Sequence, residues 1–354
     1  MSRIGMIFRL LTSGLTLASL LYPAQAQTSL EKLSALKGPE REKVLLEGAR
    51  NEGFLMLYSS MQIPSIIVIQ AAFEEKYGVK LRFWRGGSED ILRRSALEKK
   101  AGREDVDVFE SDGPVLETMH REELLGKTSS PFWDDLIPQA QRSHKEWVAT
   151  RVNIFAAVYN TKLIARTDVP SSYEDLTDPK WKGQLGIEAD DYDWFGSIAH
   201  VVGEAQARAT FARIATTNGF SLRKGHTLIT NLVAAGDVPM GLTVYLQNID
   251  VAKKAGAPVE ALLLDPIIAR PNGIALSRNP PHPHAALLFY DFVISPQGQN
   301  VLRSREFIPT STKVESALKG LNIHFEDPAI QLDEGDKWQK AFREVIGGRA
   351  AKSR

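Results

Sequence analysis

The stretch from Trp147 to Lys162, WVATRVNIFAAVYNTK, constrains the fold more than any other part of the chain. Its centre, Val152 to Tyr159, is an extended apolar run stopped by the turn-prone Asn160-Thr161. Short apolar strands alternate with amphipathic helices before it, and the alternation starts again after it with a new set of strands. A strand standing between two such series predicts passage from one α/β lobe into a second, with the site in the cleft between them.

The first series predicts helices over 30–51, 64–77, 89–101 and 114–123, and strands over 54–58, 79–84 and 106–109. Gly53 and Gly78 stand where helices should stop, Pro64 suits a first turn, and Ser88 is placed to cap the helix that follows it. This β-α-β-α-β-α order predicts a parallel sheet with helices on both faces. Ligands of such sheets bind beyond the carboxyl ends of the strands. Those ends are Tyr58-Ser59-Ser60, Arg85-Gly86-Gly87-Ser88 and Glu110-Ser111-Asp112. In the second series, strands are expected at 184–188, 238–245 and 259–264. Helices are expected at 194–202, 204–215, 225–234 and 246–255, with an acidic loop over 189–193. Asp265 to Leu276 is the candidate return crossing; helices over 282–294, 296–302 and 333–346 complete the chain.

Charge narrows the function. The 354 residues carry 43 basic and 43 acidic side chains, without the basic excess of a nucleic-acid binder. The N-terminus has Arg3 and Arg9 and no acid, then an apolar run from Leu10 to Leu21, then Pro23-Ala24-Gln25-Ala26. This pattern predicts a secretory signal, residues 1–26, cleaved after Ala26; a membrane anchor needs about 20 apolar residues. The chain has no cysteine, hence neither a disulfide nor a site for a lipid anchor. The expected state is a periplasmic protein held together by core packing alone. There is no G-x-S-x-G elbow, no H-E-x-x-H and no cysteine nucleophile, so an enzyme, an exported hydrolase included, is not expected.

Several side chains are candidates for contact with a solute. Ser59 and Ser60 present hydroxyls after the first strand, or close a turn. Gly86, Gly87 and Ser88 precede a helix, where free N–H groups and the helix dipole suit an anion, or simply form a cap. Arg85 and Arg151 offer positive charge, and Asp112 ends the third strand. Asp191, Tyr192, Asp193 and Trp194 put carboxylates beside aromatic faces, which suits a cation, or else form a solvated loop with Trp194 in the core. Tyr245, with Gln247 nearby, ends a strand of the second series. His282 and His284 are read as a helix start rather than a metal pair.

Six stretches resemble the extracellular solute-binding proteins of ABC importers, in the branch that includes ferric-iron-binding proteins. They are FLMLYSS (54–60), AFEEKYGV (72–79), WRGGSE (84–89), VYNT (158–161), YEDLTDPKWKG (173–183) and the 285–298 segment ending FVISPQG. The resemblance implies a two-lobed α/β periplasmic-binding-protein fold of type II, each lobe a mostly parallel sheet flanked by helices and the two joined by two hinge-crossing strands. Lobe 1 is then 27–152 plus 268–354, and lobe 2 is 153–267. It implies a monomer that captures a small solute in the cleft and delivers it to an inner-membrane permease with its ATPase, with no cofactor and no nucleic acid as partner. Proteins of the ferric branch place a pair of tyrosines in the second lobe, often with a histidine and a glutamate in the first. Here Tyr245 stands alone between Val244 and Leu246, and the Tyr58 to Pro64 loop has no histidine. The expected solute is therefore a charged organic compound and no metal ligand is assigned. The alternative is ferric iron, with Tyr245 as its ligand.

Overall fold

The computed structural model describes residues 30–347; the predicted signal, 1–26, lies outside them. Lobe 1 opens with helices α1 (Leu30–Ser34) and α2 (Gly38–Glu52), followed by strand β1 (Phe54–Ser59), α3 (Ile63–Tyr77), β2 (Lys80–Arg85), α4 (Ser88–Lys100), β3 (Val108–Asp112) and α5 (Gly113–Arg121). The crossing strand is β4 (Trp147–Asn160), all of it buried. Lobe 2 contains β5 (Leu185–Glu188), α6 (Tyr192–Val202), α7 (Glu204–Thr217), β6 (Ser221–Arg223), α8 (His226–Ala235), β7 (Met240–Tyr245), α9 (Leu246–Lys254) and β8 (Val259–Leu262). The chain returns through β9 (Ile267–Leu276) and ends with α10 (Pro283–Ile294), α11 (Pro296–Arg303), β10 (Ile308–Pro309), β11 (Ile323–Phe325) and α12 (Pro328–Val345).

The sheet runs β2-β1-β3-β9-β4-β7-β5-β6. In lobe 1, β1 pairs parallel with β2 and β3; in lobe 2, β5 pairs parallel with β6 and β7. Between them β4 and β9 form an antiparallel ribbon, from Trp147 opposite Ala275 to Ile154 opposite Ala269. Register shifts at Ala149/Arg151 and Ala156/Val158 bend β4. At Gly273 a Cβ would lie 2.4 Å from the Val148 carbonyl oxygen, so only glycine allows the two crossing strands to approach as they do.

Parallel strands in a doubly covered sheet read as continuous apolar runs, and β1, which pairs parallel on both sides, does. Each lobe has its own core. In lobe 1, Phe73 packs edge-on against Phe289 of α10 and also meets Phe292. In lobe 2, Trp194 packs against Tyr173 and Phe211.

The C-terminal helix departs from the expected assignment of 268–354 to lobe 1. Trp338, Ala341, Phe342 and Ile346 repeat at helical spacing, and they join Trp194, Phe195 and Phe211 in the lobe 2 core. Gly196 makes room for them, because a Cβ there would meet the Trp338 indole at 2.7 Å. The other face of α12 meets lobe 1, where Arg121 donates to Asp333 at 2.5 Å. Helix α12 also starts at Pro328, five residues before its expected start, with the Asp327 carboxylate capping Ala329. Strand β6 was not expected; three residues are too few for a periodic pattern to register.

Candidate ligand cleft

The parallel strands of both lobes point their carboxyl ends at the space beneath the β4–β9 ribbon, so the helices that follow begin there. The N-termini of α3, α4, α5, α8 and α9 border a cleft of about 310 Å³. Lobe 1 contributes Ser60, Met61, Gln62, Arg85, Gly87, Ser88 and Asp112; lobe 2 contributes Gly225, His226, Thr227, Tyr245, Gln247 and Asn248. Arg151, Asn153 and Asn272 line it from the crossing strands. The walls touch where the Gln62 amide donates to Thr227 Oγ1 at 3.4 Å and where Gln247 donates to the Arg305 carbonyl at 3.0 Å. Unpaired N–H groups and aligned dipoles make such helix ends attractive to anions.

On the lobe 1 side a buried carboxylate organises the floor. Glu110 accepts from Ser59 Oγ at 2.5 Å, from the Met61 N–H at 3.1 Å and from Arg151 at 2.5 Å. The Arg151 guanidinium also lies 4.8 Å from the Phe307 ring centroid. Ser59 is thereby turned away from the cleft and serves Glu110. Ser60 lines the cleft, and its carbonyl accepts from Arg85 Nη2 at 3.3 Å. Gly87 rather than Ser88 is the N-cap of α4, and the Asp90 carboxylate accepts from its N–H at 3.3 Å. Gly86 is buried against the Trp84 ring. Asp112 caps α5 by accepting from the Val115 N–H at 3.0 Å.

On the lobe 2 side the organiser is Arg270 of β9. Its guanidinium donates twice to Glu326, at 2.6 and 3.2 Å, and once to Tyr245 Oη at 3.3 Å. It lies 3.6 Å from Asp193 and 5.0 Å from the Phe155 ring centroid. Burial works against its charge, yet the Glu326, Tyr245 and Asp193 side chains hold its pKa above the ordinary value. Burial pushes the carboxyls of Asp191 and Asp193 up to about 7, against the pull of Arg270. It raises the Tyr245 phenol also, and pushes Tyr192 up to about 12.

The expected acidic loop is therefore largely helix start and core. Trp194 is fully buried among lobe 2 aromatics and does not reach the cleft. Asp191 is buried 3.7 Å from His226. Asp193 lies within the Arg270 cluster, and Tyr192 and Asp193 do not border the cleft. Tyr245 and Gln247 do border it, with Gln247 donating to the Arg305 carbonyl at 3.0 Å.

Sequence reasoning missed Gly225-His226-Thr227, Asn153, Asn272 and Asn248, and also Met61, Gln62 and Phe307. Only half of the signal for the first three was present: Gly225 opens an expected helix, as Gly87 does, but the strand before it, β6, is too short to register. Asn153 donates to Asn272 at 2.8 Å across the ribbon, a pairing between residues 119 apart that no local pattern displays.

His282 and His284 open α10 and bond Asp107 and Glu52, as a helix start should. A second histidine group lies away from the cleft, where donor atoms of Glu117, His120 and His144 fall within 4.8 Å of one another. The Glu146 N–H donates to His144 Nδ1 at 3.1 Å, which leaves the ring proton on Nε2, facing Glu117 at 3.5 Å. That proton occupies the place a metal would need.

The family profile described as bacterial extracellular solute-binding protein matches residues 69–329. The chain belongs to the bacterial extracellular solute-binding proteins. An Fe(3+)-binding periplasmic protein of Serratia marcescens is 22% identical over 253 residues, which are 69% of this chain and 75% of that protein. Two solved structures share the fold. The periplasmic binding protein AfuA of Actinobacillus pleuropneumoniae, bound to exogenous fructose-6-phosphate, superposes with a TM-score of 0.72 at 23% identity, covering 84% of this chain and 99% of AfuA. The Trichodesmium protein IdiA (FutA), in complex with iron and citrate ligands, gives 0.69 at 20% identity, covering 83% and 99%. The likeness identifies a two-lobed periplasmic-binding-protein fold. Among the described residues of this solute-binding protein no helix is long and apolar enough to cross a membrane.

Proposed function

We propose that this chain captures cargo in the periplasm for an ABC importer, and that the cargo is ferric iron held together with an oxygen-rich anion. The observation that carries the reading is the mixed lining of the cleft. Helix N-termini with Arg85 and Arg151 suit an anion, while Tyr245 and Asp112 offer hard oxygen donors. The relatives support iron as the metal, since the Serratia protein is named for ferric iron and the Trichodesmium structure holds iron with citrate. One phenol does not satisfy a ferric ion, so an anion in the cradle of α4 would supply further oxygens. The moving bodies in this reading are lobe 1 and residues 153–267 with α12. They close about the β4–β9 ribbon, and the closed form docks on the permease.

Burial keeps the Tyr245 phenol protonated. Iron must displace that proton, so affinity should rise with pH. The test is a titration with ferric citrate followed by visible absorption and by native mass spectrometry. A phenolate-to-iron charge-transfer band, absent in Tyr245→Phe, is the expected result. A colourless complex whose added mass is an organic phosphate would sink the iron reading. It would favour a second one, capture of a phosphorylated organic anion, which the helix-terminus cradle and the sugar phosphate bound by AfuA support.

A further inference from the structure

The imidazole of His226 is the least explained group on the cleft wall. It opens α8, where its ring stands 4.0 Å from that of Tyr245, centroid to centroid and tilted by 40°. Nδ1 lies 2.9 Å from the Thr243 carbonyl oxygen. A carbonyl only accepts, so Nδ1 carries the proton and Nε2 carries the lone pair. Nε2 has no protein partner among the described residues and is not sealed by them. The Thr243 carbonyl thus fixes the ring's orientation and holds its neutral form in one tautomer, with the Nε2 side on the cleft wall.

This is a poor device for an anion and a good one for a metal. A neutral imidazole with a lone pair repels a carboxylate or phosphate. A ligating histidine characteristically gives its other N–H to a carbonyl or carboxylate, which sets ring orientation and tautomer. The Thr243 carbonyl does this through the strand β7 that also carries Tyr245, so both side chains are aimed from one rigid element and the helix start beside it.

We infer that His226 Nε2 is the second protein donor to the captured metal, beside the Tyr245 phenolate. The inference rests on the iron reading above and assigns the site a donor that the sequence does not reveal. Lobe 2 then supplies one nitrogen and one oxygen, and lobe 1 supplies Asp112 and the anion held at α4. A metal that needs donors from both walls is fully coordinated only when the walls meet.

The experiment is pulsed electron paramagnetic resonance on the full-length mature protein loaded with ferric citrate. Wild type should show both the phenolate charge-transfer band and nitrogen couplings of a bound imidazole. His226→Gln should keep the band, lose the nitrogen couplings and bind iron roughly tenfold or more weakly, since even outer-shell partners of metal ligands cost that much. Thermal unfolding of the iron-free variant checks that it folds. A band without nitrogen couplings in wild type, or couplings unchanged in His226→Gln, overturns the inference and leaves the iron reading standing. No iron uptake by wild type removes both.

Discussion

The two crossing strands each carry one arginine, Arg151 buried and Arg270 largely so, and the two are used differently. Arg151 on β4 faces a single carboxylate, Glu110, which also has the Ser59 hydroxyl and the Met61 N–H. One positive charge meets one negative charge there. Arg270 on β9 faces Glu326 and Asp193 directly, with Asp191 close enough to feel it. One positive charge is shared among more acid than it can neutralise, so part of that acid keeps its proton toward neutral pH. A balanced pair makes a rigid floor under lobe 1. An overdrawn one makes the lobe 2 wall sensitive to pH and to any cation that enters.

The largest expected effect comes from removing the shared charge. Arg270→Met leaves Glu326 buried and unpaired and should cost about 4 kcal/mol in urea unfolding, within the range for breaking a buried pair. A cost below about 1 kcal/mol would mean that Arg270 is not the counter-charge of lobe 2. Arg151→Met should cost less, about 3 kcal/mol, because Glu110 keeps two donors. Adding Glu110→Gln should recover most of that loss; if the double variant is as unstable as the single, charge balance is not what holds the floor.

A pH profile sharpens the contrast. The carboxyl of Asp191 is raised from an ordinary 3.8 to about 7. The folded chain keeps a proton that the unfolded chain releases in that window, so this group's contribution is fully present below pH 4 and is lost as pH rises toward 7. Asp191→Asn should flatten the fall in stability between pH 4 and 7 and leave the variant more stable than wild type at pH 8, by an amount bounded at about 4 kcal/mol by a shift of about three pH units. An unaltered profile would place the titrating group elsewhere. The smallest effect is expected of Ser59→Ala, which takes one donor from Glu110 at a cost of about 1 kcal/mol. No solute affinity should change beyond that, because Ser59 does not line the cleft.

Much of this could be read from the residues alone. Strand β4 stands out by the apolar run Ile154 to Tyr159 at its centre, stopped by Asn160. Ser60, Gly87, Ser88 and Asp112 reach the cleft because strand ends in such sheets converge there. Trp194 misled, since an aromatic beside carboxylates has the same local pattern whether it faces a ligand or plugs a core. The pairs Glu110–Arg151 and Arg270–Glu326 join residues 41 and 56 apart, and neither partner's surroundings announce the other. His226 escaped for a related reason: its tautomer is set by a carbonyl 17 residues away.

The two register shifts in β4 have a mechanical consequence. A ribbon two strands wide flexes readily out of its own plane, where few contacts oppose it, and resists sliding within that plane, where every hydrogen bond of the ladder would have to stretch. The shifts, at Ala149/Arg151 and Ala156/Val158, lie at either end of the span shared by the lobes and loosen the ladder there. In the proposed closure this joint has one easy axis, like a door on its pins rather than a ball in a socket, and would bring the cleft walls back to the same alignment each time.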